Sequence, residues 1–356
     1  MRIPPALEEA VYAAARAELG DAPLATSALI RAVADRSRRY TSEREKLSAQ
    51  GPGDLAARAV FFTIADAMKI AIPIGELARR GALPAARPLR VVDLGAGCGA
   101  MSLGLVASMA TPLEILAIDR DAAALAIAAR AVAALGGTLT IRADDATRAA
   151  IPPADLIVIG TLLNELPVAA RLPLIERALA ALSRDGAVIA IEPALRETSR
   201  ALHELRDQIL ARRLAHVFAP CVRQGPCPAL VDPDDWCHED RVVQLPPRTA
   251  ELARLTHLRD DGLKFSYLVL RKAATPLVDA PGAWRIVSAA RVAKGKHEVT
   301  GCGEPGWAAL RLLKRNRTAT TKELERAQRG DVIVTDAVPG PDRVEILDSS
   351  RVERIS

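Results

Sequence analysis

A chain of 356 residues that is 50% hydrophobic but only 3% aromatic is long enough for two or three domains and a large core, which excludes a disordered protein. Lys and Arg outnumber Asp and Glu by 48 to 43, a mild excess, and the longest apolar stretch, "AVFFTIADAMKIAIPIGELARR", is interrupted by Asp66, Lys69 and Glu76, so no run is fit to span a bilayer. Glu8, Glu9 and Glu18 close behind Met1 read as neither a secretory signal nor an acid-poor transit peptide, so the expected compartment is a cytoplasm, where clustered cysteines point to metal binding or catalysis.

In chain order, "PALEEAVYAAARAEL" and "TSALIRAVADRSRRY" carry apolar residues at helical spacing, which predicts an N-terminal helical domain over residues 1–85, closed by the boundary "RRGALPAARP". Short β-rich runs then alternate with Ala-rich helices: "LRVVDLG", "EILAIDR", "LTIRADD", "DLIVIGT" and "AVIAIEP", with a later sixth, "KFSYLVLRK". That alternation predicts βαβ units and a mostly parallel sheet in an α/β domain over 86–280, with an insertion near 194–262. Beyond it, over 281–356, lie the strand candidates "WRIVSAARV" and "HEVTGC", a basic segment and a small β-rich tail.

"VVDLGAGCGA" sets a D-x-G-x-G-x-G loop (Asp93, Gly95, Gly97, Gly99) after the first strand, where open α/β sheets bind cofactors. Cys98 within it reads as a small filler. The second strand ends at Asp119, placed to accept hydrogen bonds from ribose hydroxyls, and the third at Asp144 and Asp145, either of which could reach an adenine edge. After the fourth strand, Asn164-Glu165-Leu166-Pro167 matches no amino-methyltransferase signature and there is no Pro-Cys nucleophile at that place, so no catalytic residue declares itself. Glu165 or Asn164 could orient an acceptor, and a helix cap is an equal reading for Asn164. Trp236 and Phe265 read as core.

Three of the five cysteines fall in one window, Cys221-x5-Cys227-x9-Cys237, followed at once by His238. Three thiols on one loop begin a metal site that needs a fourth ligand, and the candidates are Cys302 and His238, of which Cys302 is preferred because adjacent residues converge poorly on one metal. Zinc and a 4Fe–4S cluster both accept four thiolates and stay open on spacing alone; the C-x3-C-x2-C spacing of radical enzymes is absent. From Arg285 to Arg317 eight basic residues face two acids, Glu298 and Glu304, a patch equally readable as a phosphate-binding surface or as a solvated face.

The glycine order and the acids after strands two and three resemble class I S-adenosylmethionine-dependent methyltransferases. The resemblance implies a Rossmann-like sheet, with Asp93, Gly95, Gly97 and Gly99 around the methionine part of S-adenosyl-L-methionine, Asp119 at its ribose, and Asp144 or Asp145 near its adenine. Further on, "APCVRQGPCPALVDPDDWCH", "KFSYLVLRK" and Cys302 behind "GKHEVTG" resemble the methyltransferase-like assembly factors of the mitochondrial small ribosomal subunit and their bacterial relatives, over roughly residues 85 to 315. This implies a 4Fe–4S cluster on Cys221, Cys227, Cys237 and Cys302, and small-subunit ribosomal RNA or a pre-small-subunit particle as partner. Arg311, Lys314, Arg315 and Arg317 would contact phosphates without sequence preference. Two readings compete with an active ribosomal-RNA methyltransferase: a non-catalytic assembly factor and a zinc-containing small-molecule methyltransferase.

Overall fold

The computed structural model describes residues 1–42, 51–83, 88–258, 262–340 and 343–355. In chain order the elements are α1 (Pro5–Leu19), α2 (Thr26–Ser42), α3 (Gly51–Ala57), α4 (Ile64–Asp66), α5 (Ala71–Arg79), β1 (Leu89–Leu94), α6 (Ala100–Ser108), β2 (Leu113–Asp119), α7 (Ala122–Ala134), β3 (Leu139–Ala143), β4 (Ala154–Gly160), α8 (Val168–Ala181) and β5 (Leu182–Pro193). There follow α9 (Arg196–Ala211), β6 (His216–Ala219), β7 (Glu239–Arg241), α10 (Pro247–Thr256), β8 (Leu263–Arg271), β9 (Ala283–Ile286), β10 (Arg291–Ala293), β11 (Lys296–Gly303), β12 (Gly306–Leu313), α11 (Glu323–Arg326), β13 (Val332–Thr335), β14 (Arg343–Ile346) and β15 (Val352–Ile355). Contacts divide the chain into two units that do not follow chain order: Met1–Pro193 with Arg241–Phe265, and Ala194–Asp240 with Ser266–Ser356. No helix among the described residues is long and apolar enough to cross a membrane.

In the first unit β1 to β5 are parallel in the order β3-β2-β1-β4-β5. This is the Rossmann-like, class I methyltransferase arrangement expected from the alternating texture. β4 is buried along almost its whole length, as a central strand covered on both faces must be. The one charge near its start, Asp155, accepts from Arg90 Nε at 3.2 Å and Nη2 at 3.1 Å, tying neighbouring strands together. The N-terminal helices belong to this unit: Leu7, Val11, Leu29, Val33, Val60 and Phe61 share a core with Leu103 of α6, Ile127 of α7 and Leu252 of α10. Pro5 opens α1 where its missing N–H costs nothing, and Gly20, at φ 74°, closes it. Glu8 of α1 is buried because it caps α10, accepting from Thr249 N at 2.7 Å and Thr249 Oγ1 at 2.8 Å.

In the second unit β6 pairs antiparallel with β8, and a seven-stranded sheet runs β14-β12-β11-β9-β13-β15 with β10 on β11. Its core is Trp284, Ile286, Val299, Leu310, Leu312, Ile333, Val344 and Ile346. The segment expected to be one strand, "WRIVSAARV", is two, β9 and β10. Between them Ser288 Oγ accepts the Thr300 N–H at 2.8 Å, which turns the chain out of register.

Candidate functional site

The glycine loop follows β1 at the switch point of the sheet, because β1 lies between β2 and β4. Gly95, Gly97 and Gly99 have φ of 70°, 51° and 84°, a conformation that L side chains resist. They differ in what surrounds them: a Cβ on Gly95 would lie 2.8 Å from Leu162 and one on Gly99 2.8 Å from Ala128, whereas one on Gly97 would meet nothing within 4 Å. Gly97 thus lines open space, and its neighbours are glycine for packing.

The acids expected around the cofactor hold this loop. Asp93 is buried and accepts from Ser102 Oγ at 2.6 Å and Ser102 N at 3.2 Å; burial pushes its carboxyl up to about 6 in spite of those bonds. Asp119 accepts from Gly97 N at 2.8 Å and Asp121 N at 2.9 Å. A carboxylate has about four lone-pair directions, so Asp119 keeps acceptor capacity for two hydroxyls while fixing the loop. Asp144 and Asp145 are both exposed at the end of β3; Asp145 is held below the usual range by Thr147 hydrogen bonds, and one oxygen of Asp144 accepts Asp145 N at 2.8 Å. Cys98 is buried, and burial lifts its thiol to about 12, the behaviour of an inert filler.

Beyond β4 the backbone turns at Thr161, whose φ of 59° is unusual for a β-branched residue. The next turn is held by a residue that sequence reasoning missed. Glu192, fully enclosed at the end of β5, accepts from Leu163 N at 2.9 Å, Asn164 N at 3.3 Å and Asn164 Nδ2 at 2.5 Å. Its available signal was a carboxylate directly after the apolar run "AVIAI". Burial pushes Glu192 up to about 7, and Glu165 likewise, with the Arg36 charge opposing the rise at Glu165. Asn164 therefore serves Glu192 and is not a helix cap.

In the second unit the four cysteines lie near enough for charge on one to act on another. Each is unbridged, and Cys227 and Cys302 are buried. Burial, then the charge of neighbouring Cys221, lifts Cys227 to about 12; burial, then Cys221 and Cys227, lifts Cys302 to about 12. Cys237 rises well above its ordinary value through burial of its thiol, then Cys302, Cys221 and Cys227, although the residue as a whole is half-buried. Cys302 arrives on β11, opposite Arg285 of β9 and Trp307 of β12. The buried pair Arg285–Glu239, 2.7 Å, joins the end of the cysteine window to that sheet. The alternative fourth ligand, His238, stacks its ring on Trp236 at 5.8 Å, and its carbonyl accepts from Arg329 at 3.0 Å.

No group of three or more His, Cys, Asp or Glu side chains among the described residues is arranged to hold a metal ion. A single zinc draws all its sulfurs to about 2.3 Å from one centre. A 4Fe–4S cluster takes four thiolates at separate irons, so it accepts wider spacing, and four neighbouring thiols, two buried and two half-buried, fit it better than one ion.

The basic run is spread over β9, β10, β11, β12 and the turns between and after them, with Arg311 on β12. Arg311 pairs with Glu345 through Nε at 3.1 Å and through Nη2, and Arg317 pairs with Glu325 at 2.7 Å. Lys314 and Arg315 are exposed and, like Lys294, form no ion pair among the described residues. Lys314 N donates to Gly295 O at 2.9 Å, bringing these three cations to one hairpin tip.

The family model described as mitochondrial small ribosomal subunit Rsm22 matches residues 70–333. The chain belongs to the Rsm22 family. That match takes in both the glycine loop and all four cysteines. No curated protein matches the sequence. Solved structures similar to this Rsm22-family chain include a magnesium protoporphyrin IX methyltransferase from Synechocystis PCC 6803 with bound SAM (14% identity, 67% of this chain and 97% of that one, TM-score 0.38). Others are an rRNA methylase from Streptococcus thermophilus (14%, 57% and 96%, TM-score 0.32) and a class I methyltransferase from Listeria monocytogenes (11%, 72% and 91%, TM-score 0.38). At such scores these likenesses weigh nothing beside the topology itself.

Proposed function

We propose that this Rsm22-family chain is a ribosome-associated, methyltransferase-like protein. It binds S-adenosyl-L-methionine at the glycine loop, carries a 4Fe–4S cluster on Cys221, Cys227, Cys237 and Cys302, and engages small-subunit ribosomal RNA. What supports this reading is that three cysteines of one loop and a fourth on a distant strand lie within electrostatic reach of one another, in a chain of a ribosomal-subunit family. The expected cytoplasm finds no support in the family description, which names a mitochondrial subunit; common to both is a compartment with a translating small subunit.

The cofactor, when bound, supplies a methyl group on a sulfonium. The chain's part is to hold it. Gly97 leaves room for it, Asp119 offers its remaining lone pairs to the ribose, and Asp144 or Asp145 lies toward the adenine. Asp93 acts on the methionine end indirectly, by fixing the loop to α6. Glu165, held near neutrality, is the group placed to take a proton from an acceptor. A non-catalytic assembly factor is favoured by a different observation: Asn164 is turned onto Glu192 and is not presented to a substrate. On the RNA side, Lys314 and Arg315 are free to meet phosphates directly, while Arg311 and Arg317 must first exchange a carboxylate, at small cost for partly exposed pairs.

The deciding experiment is an absorption spectrum with iron, sulfide and zinc analysis of protein purified without oxygen, beside Cys237→Ser and Cys302→Ser. About four irons and four sulfides per chain, lost in both variants, are expected. Zinc without iron would favour a zinc-containing small-molecule methyltransferase; no metal would leave the fold alone. Methyl transfer to ribosomal RNA from labelled cofactor separates enzyme from assembly factor. Steeply salt-dependent RNA binding is expected in either case.

A further inference from the structure

Helix α9 lies along the whole cysteine window through side chains three residues apart, Arg200, His203 and Arg206, a spacing that shares one helix face. Arg200 Nη1 donates to the carbonyls of Ala229, Asp232 and Asp235 at 2.9, 2.7 and 2.8 Å, between Cys227 and Cys237. His203 Nε2 meets the Cys237 carbonyl at 3.1 Å; burial lowers this imidazole to about 4, so it is neutral, and with Nε2 donating its Nδ1 carries a lone pair. Arg206 donates to Gly225 O at 2.7 Å and Arg223 O at 2.9 Å, between Cys221 and Cys227, and also to Asp207, which in turn accepts the Cys227 N–H at 2.9 Å.

Arg206 stands apart from the other two. Its side chain is fully buried, and its Nε–H has no acceptor. A buried N–H without a partner is costly, and so is a buried cation whose one close carboxylate, Asp207, is itself shared with the Cys227 amide. The carbonyls that Arg206 grips belong to the turn between Cys221 and Cys227, so the sulfurs are the groups near it with no other claim on a donor. Its natural counterpart is negative charge on sulfur.

We infer that Arg206 is the charge partner of the sulfur-bound group, with its Nε–H donating a hydrogen bond to a thiolate or sulfide sulfur. This rests on the 4Fe–4S reading above. Four thiolates make such a cluster net negative in an enclosed site, and a fixed cation with an N–H aimed at sulfur favours the more negative, reduced form and slows loss of iron. Arg206 is a positioning residue: it binds no iron itself.

The test is a set of full-length variants purified without oxygen: Arg206→Gln, Arg206→Lys and Arg200→Gln. Read for each are iron and sulfide content, the rate of iron loss to a chelator, the midpoint potential by mediated titration, and the melting temperature of the metal-free chain. Arg206→Gln is expected to lose iron about tenfold faster or more and to move the potential negative. Arg206→Lys, which keeps the charge, should hold the potential near wild type. Arg200→Gln, which grips the same window without a free N–H, should weaken the metal-free chain comparably but leave the potential in place. A potential and iron-loss rate in Arg206→Gln equal to wild type overturn the inference, as does an equal shift in Arg200→Gln. Should Arg206→Gln not fold, a potential in Arg206→Lys displaced as far as removal of the charge requires overturns it, and one near wild type supports it. A wild-type chain without iron overturns the cluster reading itself, a distinct outcome.

Discussion

The glycine loop of the first unit and the cysteine window of the second are both turns held by buried charge, yet they are finished to different degrees. Around the glycine loop nearly every polar group already has its partner: Asp93 has Ser102, Asp119 has Gly97 and Asp121, and Glu192 has the turn after β4. Around the cysteine window, burial raises the thiols of Cys227, Cys237 and Cys302, and among the described residues the Arg206 Nε–H has no acceptor. The first is a loop whose polar groups are already satisfied; the second keeps a buried guanidinium N–H without an acceptor beside its sulfurs. Preorganisation by backbone and preorganisation by unmet charge therefore coexist in one chain.

The sharpest way to break the comparison is Gly104→Ala in α6. A Cβ there would lie 1.8 Å from the Ala67 carbonyl oxygen, so a loss of about 3 kcal/mol or more is expected in urea unfolding. A smaller loss would mean that the shell behind the glycine loop can give, and that the loop is less rigid than its hydrogen bonds suggest. Gly97→Ala is gentler: the Cβ enters open space, and the left-handed φ costs about 1–2 kcal/mol, but affinity for S-adenosyl-L-methionine should fall roughly tenfold, about 1.4 kcal/mol. Unchanged affinity in calorimetry would move the cofactor away from this loop.

Acid titration sharpens the contrast within the first unit. Glu192 and Glu165 are raised to about 7 and Asp93 to about 6, above their unfolded values, so the stability they contribute is present at pH 4 and is lost as pH rises toward 7. Asp155 runs the other way: burial would raise it, but Arg90 holds it at about 2, so its contribution is present above pH 4 and is lost as pH falls through 2. Denaturant midpoints between pH 4 and 7 should decline in the wild type, and Glu192→Gln should flatten the decline. The smallest effect is expected from Arg311→Ala: its Glu345 pair is partly exposed and worth about 1 kcal/mol at most. By contrast, reversing Lys314 and Arg315 to Glu should reduce the salt slope of RNA binding without any change in melting temperature.

The parallel sheet was legible because each strand is a short apolar run that ends at a turn, and the helices between them are of ordinary length. The glycine loop was legible for the same reason: its spacing is local. β12 was hidden by its charges, since Arg311 sits on a strand whose Leu310 and Leu312 are buried, and attention to the basic residues obscured an alternation that was present. α9 was hidden differently. Beside its buried Leu202, Leu205 and Ile209 it turns Arg200, His203 and Arg206 onto the carbonyls of a loop, so part of its covered side does not read as hydrophobic. Phe265 is core, as its neighbours suggested, but Trp236 is 37% exposed and stacks on His238. Cys302 could be preferred over His238 from the sequence, but not the route that brings it toward the window, which is β-sheet pairing and the Arg285–Glu239 contact.

The bond between Glu8 and Thr249 spans 241 residues and sets a timetable for synthesis. As the chain emerges, Cys221, Cys227 and Cys237 are all exposed before the helix that Glu8 caps has been made, and Cys302 comes only after that helix. All the residues of the first unit are therefore made before Cys302, so any arrangement that needs all four cysteines has to wait for chain that the first unit does not.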